Sequence, residues 1–474
     1  MISSLLFDQS VDSPKENCLS NRVIQDLLIS EIVSFMHRKE EISRKAVRLL
    51  SVPCTNEETI VNRQKCLCDF QRYPDVFETL TNSIRRIQEK ILGIQEQRRD
   101  YRKNPYNYDN HARMLSVRDT ANMVIEVLNE YSLLLQVLNS KELTSNWLQQ
   151  MRKDLEDTIN HPEFLTVHTY LCSLSELRLM DSSYVIEADL GEEFNTVTYS
   201  LIESFQHLNF KKSPGLSAAA FVVNDRFKEI ITQAIDQSMP SLSYFLWEIG
   251  MELAKPFLSL QEDLLFYDFS LRYLEILKSK KIHYIWPQIT REEKNNYVQL
   301  RDIYLSLSQE FPPVPNDYIE TPLTIITGAN GCGKTVFLRS IGAAQLFAQA
   351  GLPIPAKQAT VRVVNQIYTH FAVGENNKGR FEEECESLSK ITDSITPEDM
   401  LLLNEPFQST VYEEGRRLLL DILPVFMQAK IPVILVSHLF GLAERTQISL
   451  YRGTAFYFSD KAFTFRHESM DAGS

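Results

Sequence analysis

The sequence lacks the features that mark membrane and secreted proteins. It has no run of about 18 apolar residues, the length a helix needs to span a bilayer. The opening segment "MISSLLFDQSVDSPKEN" has no basic residues ahead of an apolar stretch, so it predicts no secretory signal. The seven cysteines are scattered, and the close pair Cys66 and Cys68 has no second pair with which to form a zinc site. These absences predict a protein of the reducing cytoplasm with no membrane partner.

The chain also lacks an excess of positive charge. Its formal net charge is −13, which argues against a surface that is basic all round and binds DNA indiscriminately. A local basic surface remains possible, and a chain that used one would be nucleoid-associated within the cytoplasm. Hydrophobic residues make up 44% of the chain and charged residues 23%, as in ordinary globular proteins. The 474 residues are enough for two to four domains.

Glycine is nearly absent and proline sparse between residues 20 and 175, as long helices require. One predicted helix carries an apolar stripe whose members recur at three- and four-residue steps. The stripe consists of Ile84, Ile87, Ile91 and Ile94. Residues of about 181–205 are rich in β-branched side chains and predict a short strand pair, after which helical periodicity returns from about 225 to 280.

The pattern changes after "EFPPVPNDYIE", where prolines end the helical region. From there apolar strands such as "LTIIT", "MLLLN" and "PVILVS" alternate with helical segments, which is typical of an α/β sheet with helices on its faces. We therefore expect a flexible N-terminus over residues 1–20, a helical domain over 21–300 and an α/β domain over 301–474.

The segment "GANGCGKT" satisfies the phosphate-binding pattern GxxxxGK followed by Ser or Thr. Its glycines allow backbone N–H groups to point at phosphate oxygens, and the next helix directs its positive end at the same anion. Lys334 is expected to contact the β and γ phosphates, and the Thr335 hydroxyl to ligate magnesium. The predicted cofactors are ATP and Mg²⁺. The predicted nucleotide-binding residues are Gly328, Ala329, Asn330, Gly331, Cys332, Gly333, Lys334 and Thr335.

Two further apolar strands end in polar residues. "MLLLN" leads into Asn404 and Glu405, about 70 residues after the glycine-rich segment. At such a position Glu405 would activate the attacking water and Asn404 would hold magnesium through its water shell. His438 follows "PVILVS" and would sense the γ-phosphate or orient water, although a purely structural histidine gives the same pattern. The candidate catalytic residues are thus Glu405, His438 and Lys334, and the candidate metal residues are Thr335 and Asn404.

Several segments resemble the MutS family of mismatch-repair ATPases. "TPLTIITGANGCGKTVFLRSIGAAQLFAQAGLPIPA" resembles the nucleotide loop and following helix of that family, and "VPND" and "QIYTHFAVGE" resemble the segments on either side. "LLLNE" and "LVSH" stand where the family has strands ending in Asp-Glu and Thr-His. The resemblance is strong over residues 310–445 and weaker over 20–300. It implies a multidomain α plus α/β protein, in which a long-helix core and lever domain precedes a P-loop, ABC-like ATPase domain with a mainly parallel sheet.

Membership of that family would imply an ATPase that acts on structured or duplex DNA as a homodimer. Three departures qualify this expectation. No mismatch-reading wedge is found, so mispair recognition is not expected. The segment "GRFEEECESL" replaces the family loop that carries Ser-Thr-Phe and reaches the partner's γ-phosphate. The chain also ends near the point where the family continues into a helix-turn-helix. Separately, the resemblance leaves open whether residues 180–225 are a reduced form of the family's clamp. Asn404 replaces the family's Asp, which predicts slow hydrolysis.

The most basic helical stretch runs from Arg85 to Lys103, and three tyrosines lie in it or just after it. It is the candidate DNA surface, although a run of charge is more often just a solvated face. Its proposed contacts are Arg85, Arg86, Arg98, Arg99, Arg102 and Lys103.

Two other functional interpretations remain open. One is another helical-arm ATPase of the chromosome-maintenance or transporter type, but no Leu-Ser-Gly-Gly signature precedes Met400. The other is a hydrolytically weak module that uses ATP as a switch or structural ligand. Asn404 and the "GRFEEE" segment favour that module, whereas Glu405 and the intact glycine-rich segment oppose it.

Overall fold

The chain divides into two compact units. The helical unit comprises Met1–Ser4 and Arg72–Glu262, and the sheet unit comprises Leu5–Gln71 and Asp263–Ser474. The sheet unit thus includes segments on both sides of residue 300. The domain boundary that the sequence analysis places near that residue stays a prediction. The computed structural model describes residues 4–6, 18–37, 40–103, 110–175, 182–190, 197–206, 225–328, 331–371, 380–408, 411–437, 452–459 and 462–468.

Helices dominate the first 280 residues, and helices and strands alternate afterwards, as the sequence predicts. The described helices are α1 (Asn21–Asp26), α2 (Ile29–Ser34), α3 (Glu40–Leu50), α4 (Glu57–Arg72), α5 (Pro74–Lys103), α6 (Asn110–Asn139), α7 (Asn146–Ile159), α8 (Pro162–Ser175), α9 (Asp225–Ser259), α10 (Gln261–Ser279), α11 (Ile303–Ser308), α12 (Lys334–Gln349), α13 (Arg380–Ser394) and α14 (Tyr412–Gln428). Among these helices, none is long and apolar enough to cross a membrane.

The strands fall into two pairs and two four-stranded sheets. The described strands are β1 (Ser182–Leu190), β2 (Val197–Gln206), β3 (Gln288–Thr290), β4 (Asn296–Leu300), β5 (Asn316–Ile319), β6 (Leu323–Ile326), β7 (Gln358–Arg362), β8 (Ile367–Phe371), β9 (Met400–Asn404), β10 (Val433–Val436), β11 (Arg452–Ser459) and β12 (Ala462–Glu468). Strands β1 and β2 pair antiparallel where the sequence predicts a strand pair, and β11 and β12 form a second antiparallel pair.

The long helices of the helical unit begin at residues suited to helix starts. Pro74 occupies the first position of α5, where its missing N–H and fixed φ carry no penalty. Ser145 caps α7 by accepting a hydrogen bond from the Leu148 N–H. The predicted apolar stripe of α5 is buried along its whole length, from Ile84 to Ile94. Burial of this stripe ties α5 into the core of the unit.

A four-stranded parallel sheet lies in the sheet unit. Its strand order is β6-β10-β9-β8, and all three neighbouring pairs are parallel. One face packs against α13 and α14 through Leu388, Leu419 and Phe426. Helix α12 covers the other face at Gly342, where an added Cβ would lie 2.5 Å from Leu402 Cδ1. Helices on both faces explain why the strands are continuous apolar runs.

The second four-stranded sheet is absent from the sequence-based prediction. Its order is β3-β7-β4-β5, with β3 parallel to β7 and the other pairs antiparallel. These strands are three to five residues long and only partly buried, so they lack the continuous apolar pattern that marks the parallel sheet.

Part of the predicted flexible N-terminus is anchored in the sheet unit. Leu5 and Leu6 are buried. The Leu5 N–H donates to Asp263 Oδ2 at 2.7 Å, and the Tyr267 hydroxyl donates to the Leu5 carbonyl at 2.6 Å. Arg63 donates to the Leu6 carbonyl. Within the segment predicted to be flexible, these two residues are therefore held in place, because their backbone groups have buried partners.

Candidate nucleotide site

Three strands of the parallel sheet end side by side at its carboxyl edge. The central strand β10 ends at Val436, which pairs with Ile326 of β6 on one side and Asn404 of β9 on the other. Carboxyl ends of neighbouring parallel strands form the crevice in which α/β proteins bind ligands. The glycine-rich segment follows β6 directly, so this edge brings it next to the polar end of β9.

The glycine-rich segment has the backbone that its composition predicts. Gly331 and Gly333 have φ values of +78° and +93°, in a region that other residues adopt only at a cost. Helix α12 begins at Lys334, and its first intrahelical bond runs from the Phe337 N–H to the Gly333 carbonyl at 2.9 Å. The N–H groups before Phe337 have no acceptor within the helix and carry its positive dipole end. Ala329 and Asn330 lie outside the described residues.

Lys334 reaches back over this segment. Its Nζ donates to the Gly328 carbonyl at 3.0 Å, and only 5% of the residue is exposed. Cys332, within the segment, is buried, and a buried free cysteine behaves as a small apolar residue. An ammonium group has three donors, so Lys334 can contact a phosphate while keeping this carbonyl bond.

Thr335 and Asn404 are joined across the crevice. The Thr335 hydroxyl donates to Asn404 Oδ1 at 3.0 Å, although the two residues lie 69 positions apart in the sequence. Asn404 is 9% exposed, whereas Thr335 is exposed. The structure thus brings together the two residues that the sequence assigns to magnesium.

Glu405 begins a tight turn after β9. Its N–H donates to the Val436 carbonyl at 2.8 Å, and its φ is +53°. Pro406 follows, and Phe407 also has a positive φ of +61°. The Phe407 N–H donates to Glu384 Oε2 of α13 at 3.0 Å. A half-buried Glu405 therefore stands at the crevice on a turn that is bonded at both ends.

Sequence analysis did not identify Glu384. The residue is 6% exposed, although the two glutamates before it are exposed. Its spacing was a usable signal, because Leu388 and Ile391 follow at four and seven residues and are both buried on the same face of α13. His438, the third candidate catalytic residue, lies outside the described residues. Ser437, just before it, donates its N–H to the Ile326 carbonyl at 3.2 Å.

A buried histidine on β8 was also missed. His370 is fully buried, and its Nδ1 lies 3.3 Å from Ser387 Oγ. Arg22 of α1 donates to the same Oγ at 2.7 Å and to the Phe371 carbonyl at 3.0 Å. Burial and, secondarily, the charge of Arg22 lower the pKa of His370 from 6.5 to about 4. The imidazole is therefore neutral at physiological pH and ties β8, α1 and α13 together.

Two of the candidate DNA contacts are engaged within the helical unit. Arg86 of α5 donates to both carboxylate oxygens of Glu130 on α6, at 2.6 and 2.7 Å. That hydrogen bonding raises the pKa of Arg86. Burial favours the neutral form of Glu130, but hydrogen bonds from Arg86 and Ser83 outweigh this and lower its pKa. The guanidinium of Arg98 lies 5.0 Å from the ring centroid of Trp247, a cation–π contact.

The other candidate DNA-contact residues are exposed or have side chains outside the described part of the chain. Arg85 lies 3.9 Å from Glu89 and is exposed. Arg99 is exposed on α5. Arg102 and Lys103 lie in the last turn of α5, and their side chains are outside the described part of the chain.

Comparison with known proteins supports the resemblance. The family model of MutS domain V matches residues 324–455, which include the glycine-rich segment and the ends of β9 and β10. The chain is 26% identical over 319 residues to "Endonuclease MutS2" of Lactobacillus gasseri, a match that covers 63% of this chain and 38% of that protein. The chain thus spans well under half the length of this relative.

Shorter segments of the chain match other MutS proteins. "DNA mismatch repair protein MutS" of Desulfitobacterium hafniense is 29% identical over 140 residues, or 28% of this chain and 16% of that protein. "MutS protein homolog 4" of Mus musculus is 32% identical over 114 residues, or 23% of this chain and 12% of that protein. With the motifs at the sheet edge, these matches show that residues 324–455 are similar to MutS domain V and support membership of the MutS family.

Proposed function

We propose that the carboxyl edge of the parallel sheet binds Mg-ATP and hydrolyses it. The observation that carries this proposal is the meeting of α12 and β9, where the Thr335 hydroxyl bonds to Asn404 and Glu405 follows on the same side. A strand, a glycine-rich segment and a helix that begins at a buried lysine form the arrangement used to hold triphosphates. In this proposal the α/β part of the sheet unit is a P-loop ATPase domain of the ABC-like type.

The donor set suits magnesium. Mg²⁺ prefers oxygen ligands and keeps several of its waters. The Thr335 hydroxyl supplies one oxygen, and the side chains of Asn404 and Glu405 can accept hydrogen bonds from the ion's waters. When bound, the ion neutralises charge on the β and γ phosphates. Lys334 adds a second positive charge on the same oxygens.

Glu405 acts as the general base. Its carboxylate accepts a proton from the water that attacks the γ-phosphorus, the bond from that phosphorus to the bridging oxygen breaks, and ADP and phosphate leave. The fixed turn after β9 holds this carboxylate at the crevice. His438, which follows β10 in the sequence, would orient the water or contact the γ-phosphate.

Asn404 makes the hydrolysis slow. Asparagine keeps the shape of aspartate and one acceptor oxygen but lacks the negative charge. Loss of a charge-assisted hydrogen bond costs about 1.5–3 kcal/mol, which is about tenfold to hundredfold in rate if the transition state feels all of it.

We further propose that this ATPase acts on DNA as a homodimer, with ATP-driven closure moving the long helices of the helical unit. The names of the relatives support action on DNA, since they describe an endonuclease and mismatch-repair proteins. Structured or duplex DNA is the proposed substrate, and the proposed location is the cytoplasm, with nucleoid association when the protein is bound to DNA. Part of the basic stretch on α5 is neutralised by α6, so DNA contact would rely on Arg99 and the end of α5.

A nucleotide-switched module is the second candidate. Asn404 favours it, because a site that lacks the acidic partner can bind Mg-ATP without turning it over. Single-turnover hydrolysis at protein concentrations well above that of ATP separates the two functions. The ATPase predicts conversion of bound ATP to ADP that disappears in Glu405→Ala while Mg-ATP binding persists. Glu386→Ala, an exposed glutamate on α13, is the matched control. Absence of ADP in the wild-type protein would favour the module.

The DNA proposal needs its own experiment. Binding of the chain to homoduplex, mismatched duplex, four-way junction and single strand would be measured with and without ATP, together with the oligomer mass. The proposal predicts ATP-dependent binding to at least one of the double-stranded forms and a dimeric mass in ATP. Equal and weak binding to all four, unaffected by ATP, would contradict it.

A further inference from the structure

Helix α13 carries three consecutive glutamates near its start, and they have different environments. Glu382 and Glu383 are exposed, whereas Glu384 is buried at 6% exposure. A carboxylate is costly to remove from water unless its oxygens find donors. The Glu384 Oε2 accepts the Phe407 N–H at 3.0 Å, so one donor comes from the turn that carries Glu405.

That turn has an unfavourable backbone. Glu405 and Phe407 both have positive φ values, +53° and +61°, although neither is glycine. Residues with a Cβ adopt this conformation only where the surroundings enforce it, and such positions concentrate at functional sites. Pro406, between them, has no N–H to contribute to an internal bond. The turn therefore depends on contacts from outside itself.

Three such contacts hold it. At one end the Glu405 N–H bonds to the Val436 carbonyl at 2.8 Å, which fixes the turn to β10. At the other end the Phe407 N–H bonds to Glu384, which fixes it to α13. The Phe407 side chain is 4% exposed in the core beneath, with its ring centroid 6.0 Å from that of Phe381. The bond to Glu384 comes from a charged group, and charge-assisted bonds are the stronger kind.

We infer that Glu384 is a positioning residue, whose carboxylate holds the Glu405–Phe407 turn so that Glu405 faces the attacking water. This inference rests on the proposed ATP hydrolysis. It adds to the proposed site a residue that acts on Glu405 through the backbone of the turn. Without the acceptor, the Phe407 amide is left buried without a partner and the end of the turn is released. Glu405 then spends less time at the crevice. Binding of Mg-ATP by Lys334 and Thr335 on α12 does not depend on this turn.

The experiment compares Glu384→Ala with Glu384→Gln and with Glu383→Ala. Glutamine keeps an acceptor oxygen in the same place, so it separates the hydrogen bond from the charge. Glu383→Ala removes the same functional group one residue away from an exposed position and is the matched control. Three quantities are measured for each protein: the single-turnover rate of ATP hydrolysis, the Kd of Mg-ATP, and deuterium exchange at the Phe407 amide. Because Pro406 has no amide hydrogen, it adds no signal of its own, and a peptide over residues 405–408 reports mainly the exchange at Phe407 and its neighbour Gln408.

The expected results differ among the variants. Glu384→Ala hydrolyses ATP about tenfold or more slowly, and its Phe407 amide exchanges about tenfold or more quickly, as expected from loss of one hydrogen bond to a charged group. Its Kd for Mg-ATP changes by less than about threefold, which also shows that the site is folded. Glu384→Gln recovers most of the rate and of the protection, and Glu383→Ala matches the wild-type protein.

Several outcomes would overturn the inference. An unchanged rate or unchanged Phe407 exchange in Glu384→Ala removes the positioning role while leaving the proposed hydrolysis intact. An equal loss in Glu384→Gln shows that the charge, and not the bond, matters. Loss of Mg-ATP binding in both Glu384 variants shows a general structural role. Absence of hydrolysis in the wild-type protein instead overturns the proposed function, and the positioning role with it.

Discussion

The hydroxyl of Thr335 donates a hydrogen bond to Asn404 Oδ1 at 3.0 Å, across the crevice between α12 and β9. This bond places an uncharged amide where MutS proteins have an acid. The same contact can orient the hydroxyl toward a metal ion, but it contributes no negative charge. Binding and hydrolysis of ATP should therefore respond differently to a change at position 404.

Asn404→Asp should speed hydrolysis. The added charge polarises the waters of the bound ion, so we expect a steady-state rate about tenfold to hundredfold higher. The rate is measured by phosphate release at saturating Mg-ATP. Asn296→Asp makes the same chemical change at an exposed position of β4 and should leave the rate unchanged. An unaltered rate in Asn404→Asp would show that the asparagine does not limit hydrolysis.

Arg86→Ala should destabilise the helical unit. The change removes both bonds from Arg86 to Glu130 and leaves that largely buried carboxylate with the hydrogen bond from the Ser83 hydroxyl, at 2.6 Å. We expect the free energy of unfolding to fall by about 1–3 kcal/mol, measured by urea denaturation. Arg85→Ala, whose side chain is exposed one residue earlier, is the control. Equal stability of the two variants would show that the Arg86–Glu130 pair contributes nothing net.

DNA binding should depend on Arg99 and on salt. If the end of α5 contacts phosphates, Arg99→Glu weakens binding to all sequences alike, and the slope of log affinity against log salt falls by about one or two. Binding is measured by fluorescence anisotropy on unrelated duplexes at several salt concentrations. Lys153→Glu reverses an exposed charge on α7 of the same unit and is the control. Affinity that does not change with salt would exclude this surface.

His370 should make stability depend on pH. Its folded pKa is about 4, against 6.5 for an ordinary histidine, so between these values the unfolded chain binds more protons than the folded one. The contribution of His370 is therefore fully present above about pH 6.5 and is lost as the pH falls toward 4, by up to about 3 kcal/mol.

Urea denaturation from pH 7.5 down to 4.5 tests this dependence. His370→Leu removes the titrating group, so the stability of the wild-type protein should fall relative to that of the variant as the pH is lowered. Asp26, whose pKa is raised chiefly by burial, is present in both proteins and so contributes to both curves. A constant difference across the range would contradict the buried, neutral histidine.

Sequence patterns predicted the features that depend on neighbouring residues. Continuous apolar runs marked β6, β9 and β10, because strands covered on both faces need no polar residues. The backbone conformation of the glycine-rich segment was also predictable, since its glycines occupy positive-φ positions that other residues avoid. Parallel strands in one sheet then placed their polar ends together.

Features that depend on distant partners were not predictable. Arg86 and Arg98 looked like a basic surface until Glu130 and Trp247, far along the chain, were seen to engage them. The spacing of Glu384 from Leu388 and Ile391 placed it on the apolar face of α13, but only the structure shows that its carboxylate accepts the Phe407 N–H of the turn after β9. The second sheet was missed for a similar reason, since its short strands acquire their pattern from pairing between distant segments.

The most direct test of the nucleotide site is titration calorimetry with Mg-ATP. The account predicts binding at one site per chain in the wild-type protein and at least tenfold weaker binding, about 1.4 kcal/mol or more, in Lys334→Ala. Lys357→Ala, which removes an exposed lysine of the same unit, should bind as the wild type does. No heat of binding in the wild-type protein, or equal affinity with and without Lys334, would contradict the account.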